Sequence, residues 1–322
     1  MQDHRAPPWL PGGNLQTIWP ALFSRPHLSE APRYERERWT SPDDDFIDVD
    51  HLAGRPGAPA LVLFHGLESS STSRYALAFA LAAQRRGWHF SVPHFRGCSG
   101  ELNLAPRAYH SGDHEEIGWI LGRLRERHGA PLLACGVSLG GNALLRWAEE
   151  AGETAARTVR GVAAVSAPLD LAAAGAAIDR GFNRHVYARM FLKTMKPRAL
   201  AKWQQHPGLF DKDRMLAART LYEFDDVFTA PLHGYRDTPD YWRRASAKPH
   251  LRAIRVPALV LNARNDPFVP GASLPTAAEA GPNVTLWQPA HGGHVGFARG
   301  PFPGHVDLLP EGVLGWLQAH AL

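Results

Sequence analysis

The stretch Gly136-Val137-Ser138-Leu139-Gly140 most constrains what this chain can fold into, because it places one serine between glycines where an apolar strand should give way to a helix. Glycine is costly inside either element. A sharp strand-to-helix turn explains the choice, since it holds the serine in a strained backbone conformation and leaves no room for side chains two residues away. A glycine-rich turn without function gives the same pattern, so the interpretation depends on the rest of the chain.

From residue 60 onward, short apolar segments alternate with helical ones. This alternation is typical of a mostly parallel sheet with crossover helices, and it predicts an α/β fold. Before it, 34–40 and 46–51 read as an antiparallel hairpin. The predicted strands are 60–64, 88–92, the run before Ser138, 162–166, 257–262 and 284–287. The predicted helices are 73–86, 113–128 with Asp113 and Glu116 as a capping box, the stretch after Ser138, and 311–320.

The alternation stops between Pro168 and about His250, where helical patterns rich in aromatic and basic residues appear at 182–195, 200–205 and 213–224. An insertion at this point would lie over the strand ends as a helical cap. Residues 1–30 are rich in proline and aromatic side chains. We expect this N-terminal arm to pack on its own domain, and contact with a membrane surface is the alternative. The whole chain, 1–322, is predicted to form one domain.

A serine nucleophile needs a base, a group that orients the base, and donors for the oxyanion. Asp266 follows the predicted strand 257–262, and His294 follows the predicted strand 284–287. Both positions lie just past the carboxyl end of a strand, as Ser138 does. His294 leads into Val295-Gly296-Phe297 and is preferred as the base, with His291 as the second choice. A turn-forming aspartate before proline is the structural alternative for Asp266.

The oxyanion donors are predicted from the same geometry. One is the backbone amide of Leu139, directly after the serine, and the other is the amide of Leu67 in the loop that follows strand 60–64. Any one of these loops alone is weak evidence for a catalytic site. Three loops at three strand ends, in the order Ser, Asp, His, are much stronger evidence for one.

These residues resemble the α/β-hydrolases, and among them the YheT-like subfamily of hydrolases and medium-chain esterases. The resemblance runs nearly end to end. It is carried by the motifs PWLPGGNLQT at 8–17, HGLE at 65–68, FRGCSGE at 95–101, YHSGD at 109–113, GVSLGGN at 136–142, DYW at 240–242, NARNDPF at 262–268 and GGHVGF at 292–297.

The resemblance implies a triad of Ser138, Asp266 and His294, hydrolysis of carboxylic esters, no cofactor and, in some members, acyl transfer to an alcohol. One departure is Ser69, where the subfamily commonly has glycine after HGLE; we expect it to affect the mouth of the acyl pocket without removing the Leu67 amide. Cys98 lies in a family motif, and a structural role is preferred to that of a second nucleophile.

Composition and motifs also disfavour several classes. The net charge of +4 is modest, and the basic residues at 33–38 are interleaved with acids, so nucleic-acid binding is not expected. Two cysteines make no disulfide framework, and the paired histidines 291 and 294 lack further metal ligands at the right spacing. No apolar leader or membrane-length segment is evident, which favours the cytoplasm.

The predicted enzyme is therefore a serine esterase that cleaves short- to medium-chain apolar acyl esters. Its partner is a small-molecule ester, with lipids as one class, and peripheral membrane contact stays open. The alternatives are an alcohol O-acyltransferase or a lipid-directed acyl hydrolase using the same site, a peptidase or amidase with the same triad, and a non-catalytic ligand-binding protein on this scaffold. Arg184, Arg189, Lys193 and Lys196 could meet an anionic head group, although a solvated helix face is the preferred interpretation.

Overall fold

The protein is built around one eight-stranded sheet, seen in a computed structural model that describes residues 3–24 and 32–321. The strands are β1 Glu35–Thr40, β2 Phe46–Leu52, β3 Ala60–Phe64, β4 His89–Pro93, β5 Leu132–Val137, β6 Val159–Val165, β7 Ala258–Leu261 and β8 Val284–Trp287. Their order across the sheet is β1-β2-β4-β3-β5-β6-β7-β8.

The strand directions confirm the predicted α/β fold with a mostly parallel sheet. β1 and β2 form an antiparallel hairpin, and β2 is antiparallel to β4. All the other neighbours, from β4 through β3 to β8, are parallel. The carboxyl ends of these six parallel strands therefore meet at one edge of the sheet, where the predicted functional loops emerge.

Thirteen α-helices are present in the described residues. They are α1 Gly12–Leu22, α2 Arg74–Arg86, α3 His114–His128, α4 Leu139–Ala151, α5 Leu171–Ile178, α6 Gly181–Asn183, α7 Arg189–Gln205, α8 Lys212–Ala217, α9 Leu221–Phe224, α10 Ala230–Leu232, α11 Thr238–Ala245, α12 Ala277–Ala280 and α13 Leu308–Ala321. Short π-helical turns at Arg184–Ala188 and Asp225–Thr229 link neighbouring helices of the set α6 to α10.

Helices cover both faces of the sheet. This burial on two faces explains why the sequence of β3 is apolar throughout. Val62 and Phe64 pack into the core on the side of α3 and α4, whereas Leu61 and Leu63 pack into the core on the side of α2 and α13. Every residue of β3 is buried. A strand covered on two faces shows no alternation of polar and apolar residues.

The predicted capping box at the start of α3 is wrong. Asp113 occupies the N-cap position, but its side chain accepts no hydrogen bond from the first turn. Its carboxylate instead pairs with Arg107 at 2.6 Å, and the Glu116 carboxylate pairs with Arg96 at 2.6 Å. The guanidinium groups take both carboxylates, because the carboxylates are buried and an unpaired buried charge is very costly.

The helices in the predicted cap region differ from the expectation in two places. The helical run is continuous from α6 through α7, including Pro197, where two separate helices are predicted. Pro197 and Lys193, whose carbonyl loses its helical partner, are both exposed, so water can replace that bond. The predicted helix at 213–224 is divided into α8 and α9, because Ala218 adopts an extended conformation.

The segment between β6 and β7 holds α5 to α11 and forms most of one wall of a cavity over the strand ends. The division into one domain with an N-terminal arm and a cap stays a prediction. Residues 1–2 and 25–30 of that arm lie outside the described residues, whereas its helix α1 packs on the body of the protein through Gln16, Thr17 and Pro20. Among the described helices, none combines the length and the apolar character needed to cross a bilayer.

Two glycines within helices, Gly122 of α3 and Gly175 of α5, give a matched test of how the helices pack. A methyl group on Gly122 of α3 would meet nothing within 4 Å, whereas one on Gly175 of α5 would lie 2.3 Å from the Trp242 ring. We expect Gly122→Ala to raise the free energy of unfolding by about 0.5–1 kcal/mol, because alanine loses less entropy in a helix. Gly175→Ala should lower it by about 1–3 kcal/mol through overpacking. Urea unfolding measures both, and a destabilised Gly122→Ala would contradict the packing described.

Candidate active site

Ser138 lies at the turn between β5 and α4 and has a left-handed backbone conformation, with φ 53° and ψ −121°. The flanking glycines allow this turn. A Cβ atom on Gly136 would lie 2.3 Å from the carbonyl oxygen of Gly140, and one on Gly140 would lie 2.5 Å from the carbonyl oxygens of Phe64 and His65. The glycines that bracket the serine are therefore required by backbone contact, as predicted from the sequence.

The structure brings Ser138, His294 and Asp266 together. His294 Nε2 is 3.0 Å from Ser138 Oγ, and His294 Nδ1 is 2.8 Å from Asp266 Oδ2. Because a carboxylate only accepts, Nδ1 carries the proton and Nε2 can accept one from the serine hydroxyl. His291, the second choice, is exposed and does not contact either residue.

Asp266 is held in place by the backbone that follows it. Its Oδ1 accepts hydrogen bonds from the amides of Phe268, at 2.7 Å, and Val269, at 3.3 Å. Its side chain is fully buried. The Phe268 ring also packs against the His294 imidazole, with 4.3 Å between centroids. These contacts fix the orientation of the carboxylate, so that Oδ2 can accept the hydrogen bond from His294 Nδ1.

Leu67 and Leu139, the predicted oxyanion donors, line the same cavity as Ser138 and His294. The Leu67 loop touches the serine, because a Cβ atom on Gly66 would lie 3.2 Å from Ser138 Cβ. Leu139 is the first residue of α4, where backbone amides have no partner within the helix.

His65 stabilises the Leu67 loop through hydrogen bonds of its ring. Its Nδ1 donates to the Gly66 carbonyl at 2.8 Å, and its Nε2 accepts from the Phe95 amide at 3.1 Å. Burial lowers the pKa of His65 to about 3, so the ring is neutral in the folded protein. This tautomer satisfies both contacts and joins the loops after β3 and β4.

The cavity over Ser138 has a volume of about 160 Å³. Apolar side chains from the β6–β7 segment and from the sheet edge make up much of its lining: Leu67, Leu139, Leu171, Ile178, Phe191, Met195, Leu221, Phe224, Phe228, Trp242, Phe268 and Val269. Such a lining suits an aliphatic chain.

An ion pair between α7 and the Leu67 loop was not predicted from the sequence. Arg198 donates to Glu68 Oε1 at 3.0 Å and also lies 3.1 Å from Cys98 Sγ. The Tyr109 hydroxyl donates to the same carboxylate oxygen at 2.9 Å. Glu68 and Arg198 are 130 positions apart in the chain, and no local spacing indicates that they pair.

The other residues singled out from the sequence lie away from the reacting atoms. The Ser69 hydroxyl accepts from Tyr75 and does not line the cavity. Burial raises the pKa of the Cys98 thiol to about 11, which fits the structural role. Of the four basic residues proposed for a head group, Arg184, Arg189 and Lys193 are exposed and Lys196 donates to the Leu216 carbonyl, so they form a solvated face. In the described part of the chain, no three potential ligands gather at a metal site.

Asn142 ties the serine turn to the cavity wall. It is fully buried on the first turn of α4. Its Nδ2 donates to the carbonyls of Ser111 and Ala245, both at 2.8 Å, and its Oδ1 accepts from the Ala247 amide at 3.0 Å. One amide side chain therefore joins three separate segments around the site.

The fold and this arrangement define a hydrolase, and the comparison with known families agrees. Residues 59–301 match the model of the α/β-hydrolase fold family. The chain belongs to this family.

Among related sequences, the chain is 39% identical over 95% of its length to the protein named "Putative esterase YheT" of Escherichia coli (strain K12), of which it covers 90%. It is 30% identical over 92% of its length to mouse phospholipase ABHD3, of which it covers 74%. Among solved structures, the Pyrococcus furiosus esterase Pf2001 superposes with a TM-score of 0.57 and 15% identity, over 93% of this chain and 100% of that one.

The predicted fold, the YheT-like resemblance and the prediction of an ester-hydrolysing enzyme are confirmed. The roles of the individual site residues and the range of acyl chains stay predictions.

Asn142→Ala tests the tie between the serine turn and the cavity wall. We expect the free energy of unfolding to fall by roughly 3 kcal/mol or more, because three buried backbone groups lose their partners. Asn283→Ala, which removes one hydrogen bond to the Ile254 carbonyl, is the matched control and should cost about 1 kcal/mol. Equal losses of unfolding free energy in the two variants, measured by urea unfolding, would show that Asn142 stabilises the fold no more than Asn283 does.

Proposed function

We propose that this protein is a serine esterase that hydrolyses carboxylic esters with short- to medium-length apolar acyl groups. The observation that carries the proposal is the continuous hydrogen-bonded chain from Ser138 through His294 to Asp266, which opens onto an apolar cavity. The serine sits where the nucleophile of a strand-to-helix turn is expected.

In the first half of the proposed reaction, His294 Nε2 takes the proton of the Ser138 hydroxyl as Oγ attacks the ester carbonyl. Asp266 keeps the imidazole in the tautomer that can accept this proton and stabilises the imidazolium that forms. The amides of Leu67 and Leu139 donate to the oxyanion of the tetrahedral intermediate. His294 then protonates the leaving alcohol, and an acyl-enzyme remains.

In the second half, water enters and His294 removes its proton as the water oxygen attacks the acyl carbon. Collapse of the second intermediate releases the carboxylic acid and returns the proton to Ser138. An alcohol that replaces water would take the acyl group instead, which is the acyltransferase alternative. Product analysis with and without a short alcohol distinguishes the two outcomes.

The lining of the cavity supports an apolar acyl group. The arginines that reach it are already paired: Arg96 with Asp45, Arg107 with Asp113, and Arg198 with Glu68. Lys202, the lysine of the lining, donates to the carbonyls of Asn103 and Ala105. These contacts occupy the cationic groups of the lining, whereas an aliphatic chain would gain about 25 cal/mol for each Å² that it buries.

Ser138→Ala tests the nucleophile. A fluorophosphonate probe should form an adduct on Ser138 of the parent protein, mapped by mass spectrometry, and none on the variant. The esterase rate with p-nitrophenyl esters of increasing chain length should fall to the level of the uncatalysed reaction. Unchanged unfolding of the variant shows that the fold is intact, and a retained esterase rate would refute the proposal.

Asp266→Asn tests the orientation of the base. The amide would favour the wrong imidazole tautomer, and we expect kcat to fall about 10³–10⁴-fold. Asp211→Asn is the matched control, because Asp211 caps α8 outside the site and asparagine caps equally well. A decrease in kcat of less than tenfold in Asp266→Asn would show that Asp266 does not orient the His294 base.

The cytoplasmic location and the absence of a nucleic-acid partner stay predictions. Fractionation of cells that express the tagged chain tests the location, and the bound fraction on lipid vesicles tests peripheral membrane contact.

A further inference from the structure

The N-terminal helix α1 contacts the turn that carries the histidine. The Thr17 hydroxyl accepts a hydrogen bond from the His294 amide at 2.9 Å and donates to the Gly13 carbonyl at 2.8 Å. Gln16 Oε1 accepts from the Gly292 amide at 2.9 Å. Gln16 and Thr17 are 3% and 8% exposed, so both side chains are largely shielded from solvent.

The same helix also reaches the turn that carries the acid. Asn265, next to Asp266, donates from Nδ2 to Gln16 Oε1 at 2.9 Å, and its Oδ1 accepts from the Gly293 amide at 3.1 Å. Gln16, Asn265 and the backbone of residues 292–293 thus form one hydrogen-bonded network. Gln16 of α1 and the direct contact of Asn265 with Gly293 together fix the relative position of the two turns.

Close backbone contact leaves these turns little freedom to shift. A Cβ atom on Gly296 would lie 1.9 Å from the Gln16 carbonyl oxygen, and one on Gly293 would lie 2.6 Å from the Gln16 carbonyl carbon. One turn earlier in α1, a Cβ atom on Gly13 would lie 1.9 Å from the Asn265 carbonyl oxygen. Gly293 and Gly296 therefore lie against the backbone of α1, and Gly13 of α1 lies against the backbone of Asn265.

Helix α1 is joined to the cavity wall as well. The Tyr187 hydroxyl donates to Asn14 Oδ1 at 2.9 Å. The Tyr187 ring packs edge-on against Phe268 at 4.5 Å, and Phe268 packs against His294 at 4.3 Å. The imidazole is thus held between α1, which fixes its backbone, and a ring that α1 helps to place.

We propose that Thr17 and Gln16 are positioning residues for the reaction, which hold the His294 turn in register with Ser138 and Asp266. The inference rests on the proposed function, since it assigns these two residues a part in that chemistry. Neither touches the reacting atoms; both act through the backbone of the histidine turn.

The test uses the rate at which the fluorophosphonate probe labels Ser138, because it needs no knowledge of the natural ester. Thr17→Val keeps the shape of the side chain and removes the acceptor for the His294 amide. We expect its limiting labelling rate constant, counted per serine labelled at completion, to fall about 10- to 100-fold, since small misplacements of a base cost this much. The probe concentration at half-maximal rate should change less than twofold. Thr17→Ser should restore the rate constant to within about threefold of the parent.

Thr154→Val is the control, because Thr154 donates one hydrogen bond to the Ala151 carbonyl at the far end of α4. Its labelling rate constant should equal that of the parent. If Thr17→Val lowers only thermal stability and the labelled fraction, with the rate constant per labelled serine unchanged, the positioning role is refuted. If Thr17→Val yields no folded protein, Gln16→Met, which removes the acceptor for Gly292 and Asn265, is judged by the same criteria.

The two proposals fail in different ways. If the folded parent chain is not labelled at all, the serine-esterase proposal fails. If the parent is labelled and both Thr17→Val and Gln16→Met react at the parent rate, the esterase stands and the positioning role fails.

Discussion

The rest of the site depends on the left-handed backbone of Ser138. A non-glycine residue in this region is strained, and the strain persists only where the surroundings impose it. Here the Ser138 amide donates to the Val165 carbonyl of β6, while the amides of Gly141 and Asn142 donate back to the Ser138 carbonyl. The turn is therefore held by the sheet on one side and by the first turn of α4 on the other.

Backbone contact at the turn also explains the composition of its neighbours. Gly140 touches the carbonyls at the end of β3, so the serine turn and the Leu67 loop pack together without side chains between them. That packing brings the amide of Leu67 to the same cavity as the serine. A larger residue at 140 would separate the nucleophile from the loop expected to stabilise its oxyanion. The pattern around Ser138 thus serves two functional elements at once.

The sequence was sufficient for the strands, their mostly parallel arrangement and the meeting of Ser138, Asp266 and His294, because each depends on local patterns and on the rule that parallel strands end at one edge. It was insufficient where long-range charge pairing competes with local preference. Asp113 and Glu116 have the spacing of a capping box, yet their buried carboxylates pair with Arg107 and Arg96. Pro197 stays inside α7 for a different reason: it and Lys193, whose carbonyl loses its helical partner, are both exposed, so water can replace the lost hydrogen bond.

The contribution of α1 was beyond sequence reasoning for a related reason. Gln16 and Gly292 are 276 positions apart, and neither residue type by itself indicates a partner. The signal that existed was the glycine content of both motifs, since closely spaced glycines outside regular turns indicate that another backbone passes nearby. Helix α1 packs at the turn of the histidine, where the Thr17 hydroxyl accepts from the His294 amide. Helix α1 is therefore better understood as a part of the proposed site than as an appendage to it.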